Sequence, residues 1–302
     1  MASKKWTFAG NLQEITRTLH MPATHSAPDL VRETVLPIGD DNHLVAVLSR
    51  PTLASARPGV IILNAGVLHR VGPHRLHVTL ARRLAARGLT ALRIDLAGVG
   101  DSPGRGDGGS FRASAVADTR AAMTAITAAT GCDRFILFGL CSGADNGLAT
   151  AAVDPRVVGL VVLDPPTYAT RRATARKLAG RVRGGALGPL VRAAGRRLAR
   201  RVGPPAPGEA PELTQGREFP PLAEHAAQLT ALVERGVAIL AVYSGVNGVR
   251  YNHGEQLFEW VPALRGKVEI AYFPNSNHSF TLRAAQAELL DHVASWVERR
   301  FR

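Results

Sequence analysis

The chain is poor in cysteine, poor in aromatic residues and free of long apolar runs, and each shortage removes a class of protein. Two cysteines, Cys132 and Cys141, stand among 302 residues. The residues between them read as a strand, which rises about 3.3 Å per residue and holds them well over 20 Å apart. That is beyond the reach of a disulfide, so both are expected as free thiols. No Cys/His cluster has the spacing of a zinc site, and neither a metal nor a cofactor is expected. Aromatic residues make up only 5% of the chain. No stretch reaches the roughly 18 consecutive apolar residues of a membrane-spanning helix. The opening Met-Ala-Ser-Lys-Lys-Trp-Thr-Phe leads into no apolar h-region, so a secretory signal is not expected and the expected location is the cytoplasm.

What is present is ordinary globular material, 46% hydrophobic and 20% charged. A chain of this length buries about 75% of its unfolded surface, enough to fold without staples. Acidic residues are absent from one segment. The net charge is 37 − 24 = +13, and the eleven basic residues from Arg171 to Arg201 carry +11 of it with no acid among them. Leu178, Val182, Leu187, Leu190, Val191 and Leu198 are interleaved with them. Such a run attracts anions, either an acidic protein partner or, peripherally, an anionic lipid surface. Only Tyr168 lies near it for base stacking, which argues against nucleic acid.

Residues 1–31 read as a mixed, polar extension with one short helix near Leu12–Leu19. Two β-like runs, Glu33–Ile38 and His43–Leu48, flank a turn rich in Gly, Asp and Asn and form a hairpin. Apolar strands then alternate with helical patterns. The strands are Val60–Leu63, Thr90–Ile94, Phe135–Phe138, Val157–Leu163, Val237–Tyr243 and Val268–Phe273. The helices are His74–Arg87, Phe111–Thr130, Ala144–Ala152, Leu222–Arg235, Glu255–Leu264 and Thr281–Phe301. This alternation predicts an α/β protein with a mostly parallel sheet covered on both faces. Residues 165–221, basic first and then Pro-rich, read as a cap inserted into a core of 32–164 and 222–302.

Ligands of such sheets bind beyond the carboxyl ends of the strands. The strongest signal there is Gly139-Leu140-Cys141-Ser142-Gly143, between a buried strand and a small-residue helix. It has the form of a nucleophile elbow with cysteine as the nucleophile, the glycines relieving a sharp turn. Ser142 as nucleophile, or Cys141 as a small buried filler, are the competing readings. Among ten histidines, His278 has the best address as a base, between the last strand and the last helix. The orienting acid is open between Asp164, at the end of Val157–Leu163, and Asn247, in the loop after Val237–Tyr243. The oxyanion donors are expected from the backbone of Ser142 and Val67. Arg70, His74 and Arg75 lie beside that loop as candidate ligands of a substrate carboxylate or phosphate. Asp95 and Asp101 read as loop-shaping residues.

These residues resemble the α/β-hydrolase superfamily over roughly residues 32–302. More narrowly, the run from Leu63 to Arg75 and Gly139-Leu-Cys-Ser-Gly-Ala-Asp145 look like the serine-aminopeptidase-like bacterial hydrolases, among them those associated with exosortase systems. The resemblance implies an eight-stranded α/β-hydrolase fold with the cap after the sixth strand, and a triad of Cys141, His278 and an acid. Two departures stand out: Cys for Ser at the elbow, and Asn247 where Asp is usual.

A thiolate exchanges with a thioester at little free-energy change, whereas forming a thioester from an ester or amide is uphill. The expected activity is therefore that of an acyl enzyme with a covalent acyl-thioester intermediate, hydrolysing an ester or thioester. The acyl group would arrive as a small molecule, on coenzyme A, or on an acidic carrier protein matched to the basic cap. Acyl transfer or cyclisation onto an O, N or C nucleophile is the alternative, as in α/β-hydrolase-like cyclases with a Cys–His–Asp triad. A binding protein with a degenerate triad, of which Asn247 would be the sign, is the third reading.

Overall fold

The computed structural model describes residues 31–39, 43–53, 55–106, 109–183, 217, 219–245 and 251–302. The helix expected at Leu12–Leu19, Asn247, and 184–216 of the expected cap lie outside these residues.

Eight strands form one sheet: β1 (Val31–Ile38), β2 (Leu44–Pro51), β3 (Gly59–Ile62), β4 (Ala91–Ile94), β5 (Phe135–Leu140), β6 (Val157–Leu163), β7 (Ala238–Ser244) and β8 (Val268–Phe273). Their order is β1-β2-β4-β3-β5-β6-β7-β8. β2 runs antiparallel to both β1 and β4, and every other pair is parallel. The hairpin thus feeds a parallel sheet as its sequence suggests. β3, β5 and β7 are buried at every residue, which is why they read as unbroken apolar runs. The edge strand β1 alternates instead between exposed and half-buried positions.

Among the described residues seven helices follow in chain order: α1 (Leu76–Ala86), α2 (Phe111–Thr130), α3 (Ser142–Val153), α4 (Arg171–Arg183), α5 (Leu222–Glu234), α6 (Leu257–Trp260) and α7 (Arg283–Arg300). They divide the core in two. Leu76, Leu80 and Leu84 of α1 pack with Leu289, Val293 and Trp296 of α7 on one face of the sheet. Met123 and Ile126 of α2, Leu148 of α3, and Leu229 and Leu232 of α5 pack on the other. α2 spans the predicted residues because both ends carry signals. Ser110 caps its N-terminus through Ala113 N–H, and Gly131 ends it in the left-handed region.

The starts of α3 and α7 fall at Ser142 and Arg283 instead of Ala144 and Thr281, and two further helices differ for reasons of backbone. α1 starts at Leu76, because His74 (φ 48°) and Arg75 (φ 62°) are left-handed behind Pro73. The apolar periodicity of His74–Arg87 does not register that break, since both residues are exposed. Glu255–Leu264 splits into α6 and a 3₁₀ turn at Pro262–Leu264, since proline cannot donate to the preceding turn.

The register sets the site. Leu140 of β5 lies opposite Leu163 of β6, and Leu163 opposite Val242 of β7. The residues following β5 and β6 therefore emerge side by side at one rim, with the end of β7 next to them.

Candidate active site

Cys141 sits on the turn between β5 and α3 with φ 58° and ψ −119°, a strained conformation for a residue with a side chain. Glycines make the turn possible. A methyl group on Gly139 would lie 2.1 Å from the Gly143 carbonyl oxygen, and one on Gly143 would lie 2.5 Å from that of Asn64. Cys141 N–H donates to Leu163 O at 3.0 Å, tying the elbow to the end of β6. The thiol is half-buried, and Cys132 at the other end of β5 is likewise a free thiol.

Asp164 follows β6, 1% exposed, with φ 47°. Its N–H donates to Val242 O at 2.8 Å. Its carboxylate accepts from Ser244 N–H at 2.8 Å and from Ser244 Oγ at 2.7 Å, and Oδ2 lies 2.6 Å from His278 Nδ1. His278 hangs on the loop after β8. That loop is held by Gly245 N–H on Ser276 O at 3.0 Å, and a side chain at 245 would strike Pro274 O at 1.9 Å. His278 also acts on Cys141: the imidazole lowers the thiol, and the sulfur raises the imidazole. Cys141, His278 and Asp164 thus come together at one rim of the sheet. Of the two candidate acids, Asp164 is the one seen beside the histidine, and Asn247 lies outside the described residues.

The electrostatics follow from these contacts. The hydrogen bonds to Asp164 and then Cys141 raise His278 to about 9 against the opposing effect of burial. Burial pushes the Cys141 thiol up. The hydrogen bond to His278, the charge of Arg217, the charge of His278 and the Ser142 N–H outweigh it, and the thiol lies below its ordinary value. The arrangement favours a thiolate–imidazolium pair.

The remaining expected residues fall in different places. Ser142 begins α3, and its Oγ accepts Gly66 N–H at 2.8 Å across the cleft. The neighbouring Gly66 N–H of the β3 loop is thus engaged by Ser142, and Val67 beside it is exposed. Gly66 is left-handed (φ 58°) in a turn closed by Leu68 N–H on Ala65 O, a geometry glycine adopts freely. Arg70 is committed elsewhere. Its Nη1 binds both Asp95 and Asp101, and its N–H binds Asp95, so it braces two loops. Asp95, fully buried, also accepts from Asn64 Nδ2 at 3.1 Å and Asp101 N–H at 3.1 Å. His74 and Arg75 are exposed. His74 Nε2 lies 3.3 Å from Thr281 Oγ1, three residues beyond His278.

The sequence reading misses three contributors. Ser244, Asp145 and Arg217 all bind the triad or its backbone. Asp145, 8% exposed in the first turn of a small-residue helix, is the one with a local signal, because an acid rarely occupies such a position unpaired. Arg217 has none, standing in a Pro-rich stretch far from the elbow in sequence.

No family model and no curated protein matches the chain. Solved structures do. A serine hydrolase without a lid from Xanthomonas campestris aligns over 91% of this chain and 97% of its own, at 16% identity and TM-score 0.51. A putative α/β-hydrolase from Agrobacterium tumefaciens aligns over 89% and 96%, at 16% identity and TM-score 0.53. A cold-adapted esterase from an Arctic intertidal metagenomic library aligns over 90% and 94%, at 16% identity and TM-score 0.50. With that likeness, the sheet order and the elbow after β5, the chain has the α/β-hydrolase fold.

Proposed function

We propose that the chain is an acyl enzyme that hydrolyses a thioester or ester, with Cys141 as nucleophile, His278 as acid–base group and Asp164 as its orienting acid. The observation that carries this reading is Cys141 on a strained elbow at the rim where His278 Nδ1 lies 2.6 Å from the buried Asp164 carboxylate, with the thiol below its ordinary value. The structural neighbours described as hydrolases and esterases support the reaction class.

His278 Nδ1 faces Asp164, so Nε2 is the nitrogen that serves the sulfur. The thiolate attacks the acyl carbon. The bond from carbon to the leaving group breaks, and the leaving group takes the proton from Nε2. Water then attacks the acyl-enzyme and gives a proton to Nε2. The C–Sγ bond breaks, the acid departs, and the thiolate–imidazolium pair returns. The oxyanion in each half-reaction meets Ser142 N–H at the start of α3 and a donor from the Ala65–Val67 turn. An amine or alcohol taking the place of water makes the same enzyme a transferase.

Incubation with a panel of acyl thioesters and activated esters tests this by intact-protein mass. Wild type should gain the mass of the acyl group, and Cys141→Ala should not. Labelling of the Ala variant, or of neither protein, would sink the reading. The yield of hydrolysed against transferred product, with amines or alcohols added, separates the two acceptors.

A further inference from the structure

Arg217 is the basic side chain, among the described residues, whose guanidinium reaches Cys141. It lies shortly before α5, at the end of the segment read as the cap. Its Nε and Nη2 each meet an oxygen of Asp145 at 2.7 Å, a two-point fork that fixes the plane of the group. Its face lies 4.9 Å from the centre of the Phe219 ring. The remaining nitrogen, Nη1, donates to Asp164 O at 3.0 Å and lies 3.7 Å from Cys141 Sγ. Both charged side chains are nearly buried, 12% and 8% exposed. Removing an arginine from water to this degree needs a partner, and Asp145 is that partner. The carboxylate is itself well placed in the first turn of α3, where the helix dipole favours negative charge.

The fork has a directional consequence. With two of its three nitrogens bound to Asp145, the guanidinium cannot swing away, and Nη1 points at the sulfur. Arginine also differs from histidine in keeping its charge at every working pH. His278 gives up its proton to the leaving group, whereas Arg217 passes no proton and stays cationic throughout.

We propose that Arg217, aimed by Asp145, is a second catalytic cation on the Cys141 sulfur, holding it as thiolate when it attacks and again when it leaves. The inference rests on the acyl-enzyme reading above and adds a residue to it. No bond or proton is added to the reaction. A brace that merely joined the start of α3 to the end of β6 would affect stability without changing the ionisation of the thiol.

The test is the rate of alkylation by iodoacetamide against pH, followed on the peptide that carries Cys141 so that Cys132 does not contribute. Arg217→Gln should raise the midpoint of the profile by about one pH unit. Arg217→Lys should raise it less, because the charge is kept and the fork is lost. The double variant Asp145→Asn/Arg217→Gln leaves no buried carboxylate unpaired and should match Arg217→Gln, which guards against a single variant that fails to fold. An unmoved midpoint in the folded glutamine variants would overturn the role of Arg217. Alkylation needs no acyl substrate. A wild type that takes no acyl label would overturn the acyl-enzyme reading instead, so the two failures are distinguishable.

Discussion

Asp164 is held by Ser244 on one side and touches His278 on the other, and this determines what its loss would do. Asp164→Asn keeps the shape but sets an NH₂ group against groups that donate. Acylation should fall on the order of 10²- to 10⁴-fold while the protein stays folded, measured by the rate of mass labelling. Unchanged labelling would return the acid's role to another residue, Asn247 first. His278 carries a pH prediction of definite sign. Its folded value, about 9, lies above the 6.5 of a free histidine. Its contact with Asp164 therefore stabilises the fold fully below about pH 6.5, fades as pH rises, and is lost above about 9. The difference in melting temperature between wild type and His278→Gln should be largest near pH 6 and close by about pH 10. Cys141 and His278 were legible at this scale because each follows a recognisable strand. Arg217 was not, because its partners Asp145, Asp164 and Cys141 are brought to it only by folding.

At the scale of elements, the elbow and the loops beside it tolerate little. Gly143→Ala drives a methyl group against the Asn64 carbonyl on β3's loop, 2.5 Å away. Backbone cannot give way as a side chain does, and a loss of about 3 kcal/mol in denaturant unfolding is expected. A near-neutral result would mean that the β3 loop moves freely, against its close approach to Gly143. Asp95→Ala tests the brace between the β3 and β4 loops. It leaves Arg70 with Asp101 alone, removes one of the two acceptors of Asn64 Nδ2, and removes the acceptor of Asp101 N–H. A cost of about 3 kcal/mol is expected, together with slower acylation, since the same loop brings Gly66 to Ser142. The elements themselves were well foreshadowed. All eight strands overlap the runs that suggested them, the starts of α1, α3 and α7 shift from the expected positions, and Pro262 splits the run from Glu255 to Leu264.

At the scale of the whole molecule, the asymmetry of charge is the main feature. Arg171 and Arg172 stand exposed at the start of α4, while Arg176 in the same helix is committed to Glu259 and Asn252. If the acyl group arrives on an acidic carrier, Arg171→Glu/Arg172→Glu should raise KM for the carrier-borne substrate about tenfold at low salt. The effect should vanish at high salt, and turnover of a free small thioester should not change. Equal effects on both substrates would argue against a docking role for this face. Among the described residues no helix is long and apolar enough to cross a membrane.

The sequence by itself determined the alternation of buried strands and amphipathic helices, the elbow with its cysteine, and the histidine after the last strand. Those are local properties: periodicity, glycine placement and order along the chain. Only the tertiary structure decided which acid meets His278, that Gly66 N–H binds the Ser142 hydroxyl, that Arg70 lies between two aspartates, and that Arg217 reaches the sulfur. Each of these depends on where separate strand ends emerge along one rim. Register between parallel strands is set by packing across the sheet, which no stretch of sequence contains alone.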